Sequence, residues 1–201
     1  MSRFPYPENP ALTDAPLLDP IKRRWSPLAF SSDSIEPEKI DALFEAARWT
    51  QSSRNEQPWR IIYATKDDPE NFDRLASFLT EDNAYAKQAF LLFMVCAFPT
   101  FPNYKNKPNR MHQYDTGAAI QSLIIQAVSM GLITHQMSGF DKERPYTALD
   151  IPADVPLMAM VAIGYPGDER TIDPERLKER YHEHQQREAT GSRVFKGKWK
   201  K

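Results

Sequence analysis

The chain has 201 residues, 41% of them hydrophobic, which is enough apolar surface to bury a core in one domain of ordinary size. Its 26 Lys and Arg nearly balance its 27 Asp and Glu, so no overall field draws nucleic acid or an anionic membrane. No apolar run approaches the roughly 20 residues of a membrane span. No basic segment followed by an apolar stretch opens the chain, and the single Cys96 has no partner for an internal disulfide, so the expected compartment is the cytoplasm.

In chain order, residues 1–20 carry Pro5, Pro7, Pro10, Pro16 and Pro20 and read as an extended arm with no assigned chemistry. Ile40, Leu43, Phe44 and Ala47 recur on one helical face behind Pro37 and Glu38, which predicts a helix from about Pro37 to Trp49. The apolar runs Arg60 to Thr65, Phe90 to Ala97 and Leu157 to Gly164 are bounded by turn residues and read as buried strands of one sheet. Shorter helices are expected at Asn71 to Leu79 and Tyr85 to Ala89. Asp115 to Met130 places Ile120, Leu123, Ile124, Ala127 and Val128 on one face and stops at Gly131, giving a second long helix. From Pro174 the chain is strongly charged, and Val194, Phe195 and Trp199 stand among cations near its end. This tail either docks back on its own domain or reaches to a second subunit. Helices interspersed with strands give an α+β layout in a single domain over 1–201.

The chain has no Walker loop, no GxSxG elbow, no HExxH and no GxGxxG; its seven glycines make a pyrophosphate cradle of the Rossmann kind improbable. His182 and His184 sit two apart on an expected helix and point to different sides, while His112 and His135 lack partners at ligand spacing, so no metal site is expected. Cys96 lies in an apolar run and reads as a small buried hydrophobe rather than a catalytic thiol.

Two polar clusters remain at element borders, where side chains converge on ligands. Lys22 to Pro27 (KRRWSP) offers guanidinium forks and a hydroxyl suited to a phosphate, with a solvated basic turn as the alternative. Gln51 to Trp59 (QSSRNEQPW) is dense in amides and hydroxyls. Such groups match the alternating acceptors and donor on the pyrimidine edge of a flavin, though they equally suit a polar loop capped by a tryptophan.

Together these clusters resemble the nitroreductase family, with its RRSxRxF-type motif, PSSxNxQPW loop and later helix ending in Gly-Leu. The counterparts are RRWSPLAF (Arg23 to Phe30), QSSRNEQPWR (Gln51 to Arg60) and YDTGAAIQSLIIQAVSMGLITHQMSGF (Tyr114 to Phe140), followed by AIGYPGD (Ala162 to Asp168). They run in the family's order over most of the chain.

The resemblance implies an α+β fold with a central, mainly antiparallel sheet flanked by helices, an intertwined homodimer, and FMN at the subunit interface. It places Arg24, Trp25 and Ser26 near the FMN phosphate and ribityl chain, and Ser52, Ser53, Asn55 and Gln57 along the ring or ribityl side. Gln136, Met137, Ser138 and Gly139 present backbone groups near flavin N5, and Arg193 matches a phosphate-binding arginine of the tail. NADH or NADPH is the implied electron donor and a nitroaromatic, quinone or enone the acceptor, in turn at one place, hence ping-pong; the flavin does the chemistry and no protein acid or base is required. Alternatives are an FMN holder without turnover, a same-fold enzyme that dehalogenates or breaks down flavin, and an interaction module with no cofactor.

Two residues depart from the family pattern. Leu28 stands at a position of Arg or Lys and Gln51 at a position of Pro, with Arg54 and Arg60 as candidates to supply the missing charge. The segment Pro99 to Arg110 is expected to set the choice of acceptor.

Overall fold

The computed structural model describes residues 4–173 and 175–199, so the first residues of the expected arm, Pro174 at the start of the expected tail, and the tail's last two residues lie outside the described ones. After an irregular arm, helix α1 (Asp19–Arg23) leads to an extended segment and then to α2 (Pro37–Arg48). Pro37 sits in the first turn of α2, where its missing N–H costs nothing, and Trp49 forms the C-cap.

Strand β1 (Trp59–Thr65) and helix α3 (Pro69–Ala76) follow. The Asp68 carboxylate caps α3 by accepting from the Asn71 N–H, so this helix starts and ends earlier than the expected Asn71 to Leu79. The expected helix at Tyr85 to Ala89 is instead part of a 3₁₀ stretch, Glu81–Gln88.

Next come β2 (Leu91–Ala97), a two-strand hairpin of β3 (Thr100–Phe101) and β4 (Lys107–Pro108), and the long helix α4 (His112–Ser129). Gly131, at φ 79°, ends α4. The Gly131 N–H bonds to the Val128 carbonyl at 3.1 Å and the Leu132 N–H to the Ala127 carbonyl at 3.0 Å, the paired bonds of a Schellman terminus. The chain closes with β5 (Ile133–Met137), α5 (Arg144–Ala148), β6 (Leu157–Gly164) and α6 (Glu175–His182).

The main sheet has four strands in the order β1-β2-β6-β5, every neighbouring pair antiparallel. Strand β2 is buried at all seven positions because both faces of the sheet are covered, which is why its sequence is a continuous apolar run. Its alternation sorts the core. Leu92, Met94 and Cys96 face a cluster with Trp25, Phe30, Phe72, Phe78 and Tyr85. Leu91, Phe93 and Val95 face Leu43 and Ala47 of α2 and Ile120, Leu123, Ile124 and Ala127 of α4. Helices thus flank an antiparallel sheet, as expected from the resemblance.

The charged stretch after residue 174 does not stay free. Leu177 and Tyr181, four apart on α6, are buried in the first cluster, and the Tyr181 ring lies 5.0 Å from that of Trp25. The arm is tied down too: the Trp25 indole donates to the Pro7 carbonyl at 2.9 Å. Among the described residues no helix is long and apolar enough to cross a membrane.

Candidate functional site

Beyond α1 the backbone is extended, so side chains alternate: Trp25 turns into the core while Arg24 and Ser26 stay half-buried at a cleft of about 700 Å³. The cleft is completed from the chain's two ends by Asn9, Tyr181, Glu183, His184, Gln185 and Arg187. Gln185 latches them together. Its side-chain amide donates to the Asn9 carbonyl at 2.7 Å, its oxygen accepts from Arg24 at 3.4 Å, and the Asn9 amide donates to the Glu183 carbonyl at 2.8 Å. Burial, and then the positive charge of Arg187, push the Arg24 pKa down from the ordinary arginine value. No described carboxylate lies within ion-pair distance of either guanidinium. Two cations facing one cleft, neither ion-paired among the described residues although Glu183 also lines it, make a site suited to an anion.

The loop between α2 and β1 is built differently. Arg54, Asn55 and Gln57 all have left-handed φ, at 56°, 56° and 51°, conformations unfavourable for residues with a Cβ. Three polar contacts hold it. The buried Asp115 carboxylate, in the first turn of α4, accepts from the Ser53 N–H at 2.9 Å; the Ser52 hydroxyl accepts from the Gln57 N–H at 2.9 Å; and the Gln57 amide donates to the Asn55 carbonyl at 3.1 Å. Ser52 and Gln57 are therefore occupied in holding the turn, whereas the Ser53 hydroxyl and Asn55 amide have capacity left for a ligand.

Of the third group, Gln136 and Ser138 are exposed, Met137 is in the core, and the Gly139 carbonyl accepts from the Asn83 amide at 2.8 Å. A Cβ on Gly139 would come within 2.7 Å of that amide nitrogen, so a larger residue there would displace the Asn83 side chain from the carbonyl it now bonds. The neighbouring His135 is buried, and its Nδ1 donates to the Pro27 carbonyl at 3.1 Å. This bond sets the Gln136 to Gly139 segment beside the Arg24 to Ser26 segment. The Ser52 to Gln57 loop is anchored instead to α4, whose apolar side packs on the opposite face of the sheet. One chain thus brings two of the three groups together and leaves the third apart. Arg193 is exposed and does not line the cleft; the arginine that the tail contributes there is Arg187.

The family model described as "Nitroreductase family" matches residues 21–97 and 93–165. The chain belongs to the nitroreductase family. It is 42% identical over 130 residues to an uncharacterised 15.4 kDa protein of Mycolicibacterium smegmatis, covering 65% of this chain and 85% of that one. It is 28% identical over 154 residues to the "Putative NADH dehydrogenase/NAD(P)H nitroreductase" of Archaeoglobus fulgidus, with 75% and 85% covered. A crystal structure of an "oxidoreductase containing FMN" superposes with a TM-score of 0.89 at 33% identity, over 96% of this chain and 98% of that chain.

The nitroreductase match takes in every predicted site residue except Arg193. Leu28, where the resemblance implied a cation, is 2% exposed and packed in the core beneath the cleft. Neither candidate replacement reaches it. Arg54 lies over the Tyr104 ring, and Arg60 lies over Phe98 and donates to the Gln57 and Trp59 carbonyls. Among the described residues no group of three His, Cys, Asp or Glu side chains could hold a metal ion.

Proposed function

We propose that this nitroreductase-family protein is an FMN-dependent oxidoreductase that passes electrons from NADH or NADPH to a small organic acceptor such as a nitroaromatic, quinone or enone. The carrying observation is the pairing of Arg24 with Arg187 across a cleft that also holds Ser26, neither guanidinium being ion-paired among the described residues. That donor set fits the FMN phosphate: two guanidiniums and a hydroxyl supply charge-assisted bonds, and a dianion relieves their mutual repulsion. The FMN in the crystallised relative and the nicotinamide in the name of the Archaeoglobus relative support the same reading.

Bound there, FMN supplies hydride acceptance from the nicotinamide and electron transfer to the acceptor. The protein's share is to bind and orient. Arg24, Arg187 and Ser26 hold the phosphate end, with Trp25 fixing their backbone from the core. Ser53 and Asn55 offer hydrogen bonds to the ring edge, while Ser52 and Gln57 keep their loop in shape. Gln136 to Gly139 bring backbone groups to the reactive side, and Arg193 is left to the partner's site or to solvent.

Because the loop and the cleft belong to opposite faces of the sheet, a ring contacted by both needs the loop of a second copy, which makes the functional unit a homodimer. The exposed Leu12, Leu18, Trp49, Tyr114 and Trp199 are the surface such a copy would cover.

The test is an absorbance spectrum of the purified protein followed by anaerobic NADH and NADPH. Flavin bands that bleach with a nucleotide and return with a nitroaromatic or quinone are expected. Bands that persist under both donors would point to a flavin holder or another reductant, and a protein that takes up no FMN would overturn the proposal. Sedimentation of the loaded protein as a monomer would remove the shared site.

A further inference from the structure

The hairpin after β2 carries a charge pattern that flavin binding does not use. From Asp82 to Asp115 the sequence has no acidic residue between those two, yet it contains Lys105, Lys107 and Arg110. All three are exposed, and none is paired with a carboxylate among the described residues.

Tyr104, on the same hairpin, supports Arg54: the guanidinium carbon lies 4.7 Å from the ring centroid, and the ring itself is edge-packed on Phe101 at 6.0 Å. Stacking spends one face of the guanidinium and leaves its N–H edge open, already oriented, for a bidentate oxygen pair. Arg54 is also pinned at its backbone by its left-handed φ, between Ser53 and Asn55. Little conformational freedom remains to be lost when it binds.

We propose that Arg54, backed by Tyr104 and by the cations of the hairpin, is an anion-recognition subsite beside the flavin ring that selects planar ligands bearing a carboxylate or phosphate. The assignment rests on the reading that Ser53 and Asn55 face FMN, since Arg54 stands between them. The anion has two sources: the 2′-phosphate of the nicotinamide donor, or an acidic group on the acceptor. Arg54 is a specificity residue here; it holds the ligand's anionic end and takes no part in electron transfer.

Steady-state kinetics on flavin-loaded protein separates the sources. The donor arm compares NADPH with NADH, and the acceptor arm compares 4-nitrobenzoate with the similarly shaped, uncharged 4-nitrobenzamide. In Arg54→Asn, chosen because asparagine tolerates left-handed φ, the kcat/KM ratio of the ligand bearing the extra anionic group to the one lacking it (NADPH to NADH, or nitrobenzoate to nitrobenzamide) falls about 10-fold in at least one arm, the worth of one charge-assisted bond. Lys107→Gln, outside the strained loop, lowers the same ratio by roughly 2-fold, and added salt compresses the wild-type ratio. A fall confined to the donor arm assigns the subsite to the nucleotide phosphate; a fall confined to the acceptor arm assigns it to acidic acceptors. If both ratios stay unchanged in yellow, flavin-loaded variants, the subsite is wrong while the flavin reading stands. A colourless protein that cannot be loaded with FMN removes both.

Discussion

Replacing Arg187 by glutamine tests the cleft at the point where sequence and structure nominate different residues. Of Arg187 and Arg193 in the tail, it is Arg187 that lines the cleft with Arg24. A charge-assisted bond to phosphate contributes about 1.5–3 kcal/mol, with an exposed partner at the lower end. Arg187 is exposed and Arg24 half-buried, so Arg187→Gln is expected to weaken FMN binding about 10-fold and Arg24→Gln roughly 30- to 100-fold. Titrating flavin-stripped protein with FMN and following flavin fluorescence gives the dissociation constants. Riboflavin, which lacks the phosphate, is the control, and its affinity should move by less than about 2-fold in either variant. Arg193→Gln should leave both ligands alone. Equal weakening of FMN and riboflavin would mean that the arginines shape the cleft rather than hold phosphate. A larger loss from Arg193 than from Arg187 would move the tail's contact to the residue that the family resemblance suggested.

Gly167→Ala would place a Cβ 2.3 Å from the Phe30 carbonyl carbon, where the Gly167 N–H bonds to the Ala29 carbonyl at 2.9 Å. The backbone clash should cost about 2 kcal/mol, or roughly 4–8 °C in Tm by calorimetry, and an unchanged Tm would show that these two segments can move apart. Glu36 accepts from the Tyr165 hydroxyl at 2.6 Å and pairs with Lys39; the Tyr165 bond, then its own backbone N–H, then Lys39 hold its pKa down at about 2. A depressed carboxylate stabilises above its ordinary value and loses that contribution as pH falls toward the folded value. The Tm gap between wild type and Glu36→Gln should therefore be constant above about pH 5 and close by about pH 2; the gap is small because water screens the pair to under about 1 kcal/mol. Burial pushes the Cys96 thiol up to about 11. Native protein should thus show less than about a tenth of the thiol titre that the denatured chain gives with a disulfide reagent at pH 8.

What the sequence made legible follows the range of the forces involved. Strand β2 could be read because both of its faces are buried, which leaves a run with no polar residue, and α4 because its apolar stripe ends in a glycine that only a helix terminus requires. Strand β5 escapes the sequence pattern, because Thr134, His135 and Gln136 interrupt any apolar run. His135 is tolerated in the core because a carbonyl 108 residues away in sequence accepts its N–H. Leu177 and Tyr181 did carry a helical signal at four-residue spacing, but charged neighbours hid it. At the site, Arg24, Ser26 and the Ser52 to Gln57 loop were visible as local clusters of polar groups. Asn9 and Arg187 were not, since nothing in their surroundings announces them; Asn9 meets Gln185 across a separation of 176 residues.

Backbone strain points to the same region by a route independent of polarity. Six non-glycine residues among those described have positive φ, and five of them, Arg54, Asn55, Gln57, Lys105 and Asn106, lie in the Ser52 to Gln57 loop or at the tip of the hairpin. Each such residue costs on the order of 1 kcal/mol or more and persists only where surrounding contacts over-determine it. Those contacts are on hand: the Asp115 carboxylate on the Ser53 N–H, the Ser52 hydroxyl on the Gln57 N–H, and the Arg54 guanidinium on the Tyr104 ring that joins loop to hairpin. None of them fills the hydrophobic core. A buried charge such as Asp115, spent on holding a surface turn in an unfavourable conformation, adds little to stability when the same stretch could relax into an ordinary turn. It is explained if the turn must present Ser53, Arg54 and Asn55 in fixed directions to a ligand, the requirement that a flavin edge and an anionic partner beside it would impose together.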